Sequence, residues 1–430
     1  MNSKFTTTAL AVSVAAGLAS GVAQGAGFAL IEQSASGMGN AFAGAAATAE
    51  DASTIFFNPA GLAKLKGSQF AASAHYISPK IDFSDNGSSR APTIAAYSLG
   101  GNGGNAGSAV LVPNGYYSMA LNDQWTMGVG VNAPFGFKTE YDSTWIGRFQ
   151  GIKSDIKSVN INPSVAVNIS DALSIGFGVS YQRLEAELTR KAATGFAGVE
   201  FNSALTADDT AWGYDFGVLA RAGENTRIGV SYRSKLRYRL EGSVTVTSPV
   251  GGMPAAVAAS RSGPSTADVI MPESLSLSVA HSISERTQLV ADITRTRWSE
   301  IQSIYIVSST TGAVRDTLAL NFKDAYRYSI GVNHKCTDRF TAKVGLALDT
   351  SPVEDADRTV NLPDNDRTWF ALGGKWSLSE SAAIDLGYAH LFVKNAPIDF
   401  TRGSAVSSGR VAGDYSGKID ILSFQFTKSF

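Results

Sequence analysis

Hydrophobic and polar residues alternate along most of the chain from about residue 68 onward. Between residues 159 and 169, the odd positions carry Val, Ile and Pro, whereas the even positions carry Asn, Ser and Ala. A period of two is typical of β-strands with one apolar and one polar face. The pattern recurs at 173–181, 214–218, 228–232, 275–279, 289–293, 328–332, 340–346, 370–372, 384–388 and 422–426.

The connections between these segments alternate in length. Short turns are predicted at 170–171, 223–226, 284–286 and 336–338, and long polar loops at about 82–110, 190–212, 241–271, 300–322, 350–367 and 395–417. A soluble β-sandwich would show the same alternation within its strands. Short turns at one end and long loops at the other are instead typical of outer-membrane barrels. Seven such cycles predict an all-β transmembrane barrel of about fourteen antiparallel strands.

The two ends of the chain carry features of an exported protein. Lys4, an apolar stretch from Ala9 to Ala19, and small residues in 23–25 are typical of a signal peptide, with cleavage expected before Ala26. The last strand ends on Phe430, preceded by alternating apolar residues at 422, 424 and 426. This ending resembles the signal through which the barrel-assembly machinery recognises outer-membrane proteins, although Lys428 departs from the apolar series.

Composition excludes several classes of protein. The chain carries 36 basic and 37 acidic residues, without the basic excess expected of a nucleic-acid binder. After the N-terminus, no apolar run reaches the roughly 20 residues that a membrane-spanning helix needs. Cys336 is the only cysteine, so an internal disulfide is excluded.

Residues 26–67 do not alternate and are not expected to belong to the barrel. They are rich in Ala and Gly, yet they also contain Phe28, Phe42, Phe56 and Phe57, which is too apolar for a solvated tail. A fourteen-stranded barrel has a lumen that its own side chains cannot fill. We therefore predict a signal peptide at 1–25, a partly helical N-terminal hatch at 26–67 that plugs the lumen, and the barrel at 68–430.

Enzyme motifs are absent from the sequence. The four histidines, at 75, 281, 334 and 390, have no nucleophile motif beside them, and no Cys/His cluster suggests a metal site. The Gly-rich stretch 100–105 lacks the Lys and Ser/Thr of a phosphate-binding loop. We expect no catalytic residues, no metal and no cofactor.

One predicted strand is interrupted in the middle of the sequence. Residues 124–131 form a strand that then meets Asn132, Ala133, Pro134, Phe135 and Gly136. Pro134 has no N–H for a neighbouring strand, which favours a bulge, an edge or a kink. The alternative is that Pro134 ends the strand at the outer rim.

Several motifs, taken in order, resemble one family: the outer-membrane transporters of long-chain fatty acids and other hydrophobic compounds (the FadL/TodX type, including OmpP1-like proteins). The resemblance covers most of the mature chain. Its motifs are Ala26-Gly27-Phe28, Asn58-Pro59-Ala60, Phe322 to Arg327, Asp349 with Ser351-Pro352-Val353, Arg358, Leu362-Pro363-Asp364, and Asp366-Arg367 with Trp369.

The resemblance implies a role for each candidate site residue. It implies that residues 132–136 form a lateral gate in the barrel wall, and that the hatch motif at 58–60 helps to hold it. It implies that Phe28 inserts into the ligand pocket. Arg190 resembles the arginine that binds a carboxylate, and parity along its strand places it on the same face as Leu184 and Leu188. Lys323 is a weaker candidate, because the family's second cation does not map cleanly onto this sequence.

The resemblance also implies a monomer in the bacterial outer membrane, surrounded by lipid and lipopolysaccharide. Uptake is expected to be passive, since no energy-coupling motif is evident near the N-terminus. The expected ligand is a long-chain fatty acid or another hydrophobic small molecule. A missing second cation leaves open an importer of neutral aromatic hydrocarbons. A general porin and a passive adhesin are the remaining alternatives.

Overall fold

The computed structural model describes residues 27–90, 98–193, 198–403 and 408–430. The predicted signal peptide and Ala26 lie outside the described residues. The β segments are β1 (Ser68–Asp85), β2 (Val110–Ala120), β3 (Trp125–Asn132), β4 (Gly136–Glu140), β5 (Lys153–Ser170), β6 (Leu173–Ala193), β7 (Glu200–Ala222), β8 (Thr226–Arg233), β9 (Leu236–Thr247), β10 (Gly263–Met271), β11 (Ser274–Ser282), β12 (Thr287–Thr296), β13 (Ser303–Ser308), β14 (Val314–Ala319), β15 (Ala325–Lys335), β16 (Phe340–Asp349), β17 (Arg367–Ser379), β18 (Ala382–Phe400) and β19 (Val411–Ser429).

These segments form one closed antiparallel barrel. Neighbouring strands pair in antiparallel register, and β1 pairs with both β2 and β19, which closes the sheet. Five strands are each interrupted once, so that β3/β4, β8/β9, β10/β11, β12/β13 and β14/β15 are the two halves of single strands. Within the described ranges, the nineteen segments therefore make fourteen strands, which confirms the predicted barrel.

The period-two pattern determines which face meets the lipid. In β5, Ile161 is exposed on the outside, whereas Asn160 and Asn162 are fully buried in the lumen. In β15 and β16, Ile330 and Leu346 are likewise exposed on the outside. An apolar outer face with a polar interior is the arrangement expected of a membrane barrel.

Several predicted loops are in fact strand. Most of 190–212 belongs to β6 and β7, and most of 300–322 belongs to β13 and β14. The outward positions there are polar, such as Asp208 on β7. Outside the bilayer a strand needs no apolar outer face. Alternating hydrophobicity therefore predicts only the membrane-embedded part of each strand, although the hydrogen-bonded strand continues beyond it.

The described part of the hatch lies inside the lumen. It contains α1 (Ala35–Met38), α2 (Ala45–Thr48), α3 (Thr54–Phe57) and the 3₁₀ helix η1 (Pro59–Lys64). Its backbone approaches the wall at glycines: a Cβ at Gly229 would collide with the Ala46 carbonyl oxygen, and one at Gly387 would lie 2.7 Å from Met38 Cβ. Two further helices occur, α4 (Met253–Arg261) and the 3₁₀ helix η2 (Trp298–Glu300). None of the described helices has the length and hydrophobicity to cross a membrane.

Candidate functional site

The barrel wall has an opening beside the third strand. β2 pairs with β3 from Ala120↔Thr126 to Gly115↔Val131. Beyond that point β4 continues the third strand and pairs with β5 on its other side, but the described residues show no pairing between β4 and β2. We call the gap between residues 110–114 and residues 133–140 the wall opening.

The opening arises from a bulge around Pro134. Asn132 pairs with Asn160, and Gly136 pairs with Lys157, so three residues of the third strand face only two of β5. Ser158 stabilises the bulge because its hydroxyl accepts the Phe135 N–H at 2.9 Å and donates to the Phe135 carbonyl oxygen at 2.6 Å. Extra residues of this kind bend a strand away from its neighbour.

The start of the hatch occupies the wall opening as a replacement strand. The Leu30 N–H donates to the Pro134 carbonyl oxygen at 2.8 Å, and the Gly136 N–H donates to the Phe28 carbonyl oxygen at 2.9 Å. Between these bonds, Ala29 and Phe135 form an antiparallel bridge. The hatch therefore supplies the hydrogen-bond partners that β2 does not.

Side chains fix the hatch to both sides of the opening. The Gln33 amide donates to the Ala133 carbonyl oxygen at 2.9 Å. On the β2 side, the Asn114 amide donates to the Glu32 carbonyl oxygen at 3.0 Å, and the Tyr116 hydroxyl donates to the Gln33 carbonyl oxygen at 3.1 Å. The gap is thus closed by the hatch and not by the wall itself.

Phe28 lies at the centre of an apolar cluster behind the opening. Its ring centroid is 4.5 Å from that of Trp298 and 6.4 Å from that of Phe135, both in edge-to-face geometry. The buried residues of this Phe28 cluster are Phe28, Phe135, Phe137, Leu184, Ala207, Ala211, Leu236, Tyr238, Leu240, Val269, Met271, Trp298, Ile301, Leu320, Phe322, Ala325, Val353 and Leu362. The cluster includes Leu184, whereas Leu188 lies farther along β6 and is half-buried outside the cluster.

A cavity of about 140 Å³ adjoins the hatch and the wall opening. One part of its lining is apolar, with Leu30, Ile31, Phe57, Pro134 and Trp298. The other part carries charged side chains, namely Arg233, Asp292, Arg327 and Asp349. An apolar molecule in this cavity would lie against the same hatch residues that close the opening.

The hatch motif ties the hatch to strands on another part of the wall. The Asn58 amide donates to the Ala46 carbonyl oxygen at 2.7 Å and to the Val218 carbonyl oxygen at 3.0 Å, and its side-chain oxygen accepts the Ala60 N–H at 3.0 Å. Pro59 starts η1, where its missing N–H costs nothing. A Cβ at Gly217 would collide with the Asn58 oxygen. The motif itself contacts β6 and β7, whereas Phe28 to Gln33 contact the bulge.

Arg190 and Lys323 have different surroundings. Arg190 lies on the lumen side of β6 and pairs with Asp316 at 3.3 Å. Arg402 pairs with the same carboxylate at 2.6 Å, so two guanidinium groups share one acidic side chain. Lys323 is half-exposed and pairs with Glu354 at 3.5 Å, away from this cluster. Among the described residues, no group of His, Cys, Asp and Glu could hold a metal ion.

Comparison with known proteins agrees with this geometry. Residues 16–430 match the family model described as outer membrane protein transport protein (OMPP1/FadL/TodX). The chain belongs to this family. It is a transport protein of the outer membrane and not an enzyme.

Individual relatives are similar over most of their length. The long-chain fatty acid transport protein of Escherichia coli K12 is 28% identical over 430 residues, covering 92% of this chain and 94% of the relative. The crystal structure of a Pseudomonas aeruginosa FadL homologue has a TM-score of 0.87 at 23% identity, covering 94% of this chain and 100% of that chain. The Pseudomonas putida toluene transporter TodX has a TM-score of 0.65 at 18% identity, covering 88% and 94%. These two structural likenesses concern the fold.

The structure adds one site residue, Trp298, and several site contacts of this family member that the sequence did not predict. Trp298, which is fully buried against Phe28, lies in a strand interruption that shows no sequence motif. The loop between β16 and β17 folds inward, where the Asp364 carboxylate accepts the Gly27 N–H at 2.9 Å. Arg358 in that loop is fully buried and donates to the Asp364 carbonyl oxygen at 3.0 Å. Both residues belong to the motifs noted above, but their link to the hatch needed the fold.

Proposed function

We propose that this protein takes up long-chain fatty acids or similar hydrophobic compounds passively, through a lumen that the hatch closes, and releases them sideways through the wall opening. One observation carries the proposal: Phe28 to Leu30 occupy the opening as a separate strand that belongs to the hatch and not to the wall. A hydrophobic solute gains nothing from an aqueous pore, whereas an intact ladder offers no passage through the wall. An interrupted strand covered by a hatch meets both requirements.

The proposal includes the wider setting of the protein. We infer that residues 1–25 are removed as a signal peptide, that residues 26–67 form the hatch and that residues 68–430 form the barrel. The monomer would lie among lipid and lipopolysaccharide and would reach the barrel-assembly machinery through the strand that ends in Phe430. A general porin is disfavoured because hatch residues fill the lumen that such a pore would need.

Uptake measurements on cells test the exit route. Ala133→Arg places a long charged side chain in the wall opening, and it should reduce the uptake rate of radiolabelled palmitate at least tenfold. Ala172→Arg, the same substitution in an exposed turn, should leave uptake unchanged. Both variants should retain the heat-modifiable gel mobility of a folded barrel. Normal uptake by folded Ala133→Arg would show that the solute does not leave there.

Neutral aromatic hydrocarbons are the second candidate. The Arg190 guanidinium is already paired with Asp316, which weakens its electrostatic attraction for a substrate carboxylate. The cavity of about 140 Å³ is close in size to an engineered apolar cavity of about 150 Å³ that binds benzene. A single ring would therefore fit without moving the hatch, whereas a long acyl chain would not.

Binding to purified protein in detergent separates the two substrate classes. Palmitate should bind less tightly to Arg190→Ala than to the unmodified protein if the guanidinium anchors the carboxylate. Arg183→Ala is the matched control, because Arg183 lies on the same strand but points outward with its side chain 55% exposed. Preferential toluene binding that is indifferent to Arg190 would favour the hydrocarbon transporter.

A further inference from the structure

The barrel wall has a second gap, between the eighth and ninth strands. β10 pairs with β9 along its whole length, from Gly263↔Val244 to Met271↔Leu236. On its other side it pairs with β13 only at Ser265↔Ser308 and Thr266↔Val307. The ladder resumes lower down, where the Arg297 N–H donates to the Glu273 carbonyl oxygen at 3.0 Å and Ser274 pairs with Thr296. Residues 263–308 are all described, so the strands are unpaired between these points in the described structure.

Local sequence explains the interruption. Pro272, between β10 and β11, has no N–H to donate across the gap. On the opposite side the chain leaves the strand at Arg297 and forms η2, which turns Trp298 into the lumen, where it is fully buried. The two strand edges therefore separate between Thr266 and Glu273. We call this gap the upper window.

The upper window contains a cavity of about 540 Å³. Its lining includes Asp268, Val269, Ile301, Ile304, Tyr305 and Val307. The exposed residues Asp268 and Tyr305 lie on its outer side. On its inner side, Val269 and Ile301 are buried members of the Phe28 cluster, and Ile304 packs against that cluster. The cavity thus has exposed residues at its outer end and members of the Phe28 cluster, or residues packed against it, at its inner end.

The surface charge indicates the height of the window. On the same strands, the lower outward positions are apolar and exposed, as at Val230, Leu277 and Ile293. At the level of the window, the exposed outward positions include Arg239 and Asp268. Charged outward residues are costly within the apolar band of a barrel. The window therefore opens above the hydrocarbon layer, where the acyl chains of neighbouring lipids do not lie.

We propose that the upper window is a capture and entry site for the apolar part of the transported solute. The solute would enter from the side, above the hydrocarbon layer, pass Ile304 and Ile301 to the Phe28 cluster, and leave on the far side through the wall opening. The inference rests on the proposed function. A solute from the medium is favoured over a resident lipid, because the window opens above the hydrocarbon layer, among the exposed charged residues Arg239 and Asp268.

Blocking the inner end of the window tests the route. Ile304→Arg should reduce the initial uptake rate of radiolabelled palmitate, or of toluene if that is the substrate, at least tenfold. Thr317→Arg is the matched control: Thr317 lies directly opposite Tyr305 in the ladder and is exposed, but it does not line the cavity. Uptake by folded Ile304→Arg at the rate of the control would overturn the entry route. Ala133→Arg separates this outcome from a failure of the proposed function. If only the entry route is wrong, Ala133→Arg still reduces uptake; if the proposed function is wrong, Ala133→Arg also leaves uptake unchanged.

A binding measurement keeps the inference testable if Ile304→Arg does not fold. A fluorescent label on Val307→Cys, in a Cys336→Ser background, would report occupancy of the window through quenching by dibromostearate or bromotoluene. We expect saturable quenching at Val307 and none at the same label on Thr317→Cys. Equal quenching at both positions, or none at either, would show that the window does not bind the solute.

Discussion

The Leu30 N–H donates to the carbonyl oxygen of Pro134, the residue that interrupts the third strand. Proline removes a donor from the wall but keeps its acceptor, and the hatch uses that acceptor. The interruption and its closure therefore lie at the same residue. A single intramolecular hydrogen bond contributes only about 1 kcal/mol to stability, so the few bonds between hatch and bulge can be broken without unfolding the barrel.

Removing that donor should loosen the closure. In Leu30→Pro, loss of about 1 kcal/mol corresponds to a roughly fivefold larger open population. In a Cys336→Ser background, labelling of Ala133→Cys by a membrane-soluble thiol reagent should accelerate by about that factor. Ile31→Pro is the control, since no hydrogen bond of the Ile31 N–H occurs among the described residues. Equal acceleration in both variants would argue that the Leu30 bond does not hold the gate.

Docking of the hatch should be sensitive to replacement of the Asn58 amide nitrogen by oxygen. Asn58→Asp keeps the oxygen that accepts the Ala60 N–H but loses both donated bonds and places a carboxylate opposite two buried carbonyl oxygens. We expect the docked hatch to lose about 2 kcal/mol or more, measured as faster proteolysis of the hatch in an intact barrel. Asn122→Asp should be silent, because the exposed Asn122 side chain only accepts hydrogen bonds, from the Gln124 and Trp125 N–H groups.

Asp316 should control the charge preference of the lumen. Asp316→Asn leaves Arg190 and Arg402 without the carboxylate they share. Palmitate affinity should then rise by about tenfold, since opposite charges a few ångströms apart interact by several kcal/mol at an intermediate dielectric constant. Toluene affinity should not change. Isothermal titration of both compounds measures this, and unchanged palmitate binding would remove the pair from the binding site.

Glu32 predicts a pH dependence of hatch docking. Burial raises the pKa of its carboxyl to about 7, although its backbone hydrogen bond and the charges of Arg367 and Arg327 act in the opposite direction, and Asp349 adds to the rise. A raised pKa means that the docked hatch binds more protons than the undocked one between about pH 4.5 and 7. Docking should therefore weaken as the pH rises through this range and stay weaker above it.

Limited proteolysis over a pH series would measure this effect. The unmodified protein should lose its hatch faster at pH 8 than at pH 5, relative to Glu32→Gln digested under the same conditions. The Gln variant corrects for the pH dependence of the protease itself. A constant ratio between the two proteins across the series would mean that Glu32 does not titrate on docking.

The sequence predicts the barrel well because the outer face of the membrane-embedded strands contacts lipid alone. Alternation at positions such as Ile161 and Asn162 reflects lipid on one side and a polar lumen on the other, and it is readable without knowledge of partners. The interruption at Pro134 is readable too, because proline has a local effect. The extensions of β6 and β7 beyond the membrane are not readable, since polar residues there resemble loop residues.

Contacts between distant segments account for what could not be predicted. Leu30 and Pro134 are joined by a backbone hydrogen bond, which many residue types at position 30 could form, so the sequence does not indicate it. Trp298 becomes a site residue only because η2 turns it inward. The carboxylate of Asp316 is shared by Arg190 and Arg402, each of which lies more than eighty residues from Asp316 in the chain. Pairing of charges across a lumen follows from barrel register, which short motifs do not encode.

The glycine recesses in the wall have a consequence for the order in which the molecule is made. Ala46 fits against Gly229 on β8, and Met38 fits against Gly387 on β18, so the hatch interlocks with strands from both halves of the chain. The seam between β1 and β19, from Gln69↔Ser429 to Asp85↔Gly413, joins the first strand to the last. We therefore expect the hatch to enter the lumen before this seam forms, so that pairing of β19 with β1 encloses the N-terminal segment inside the finished barrel.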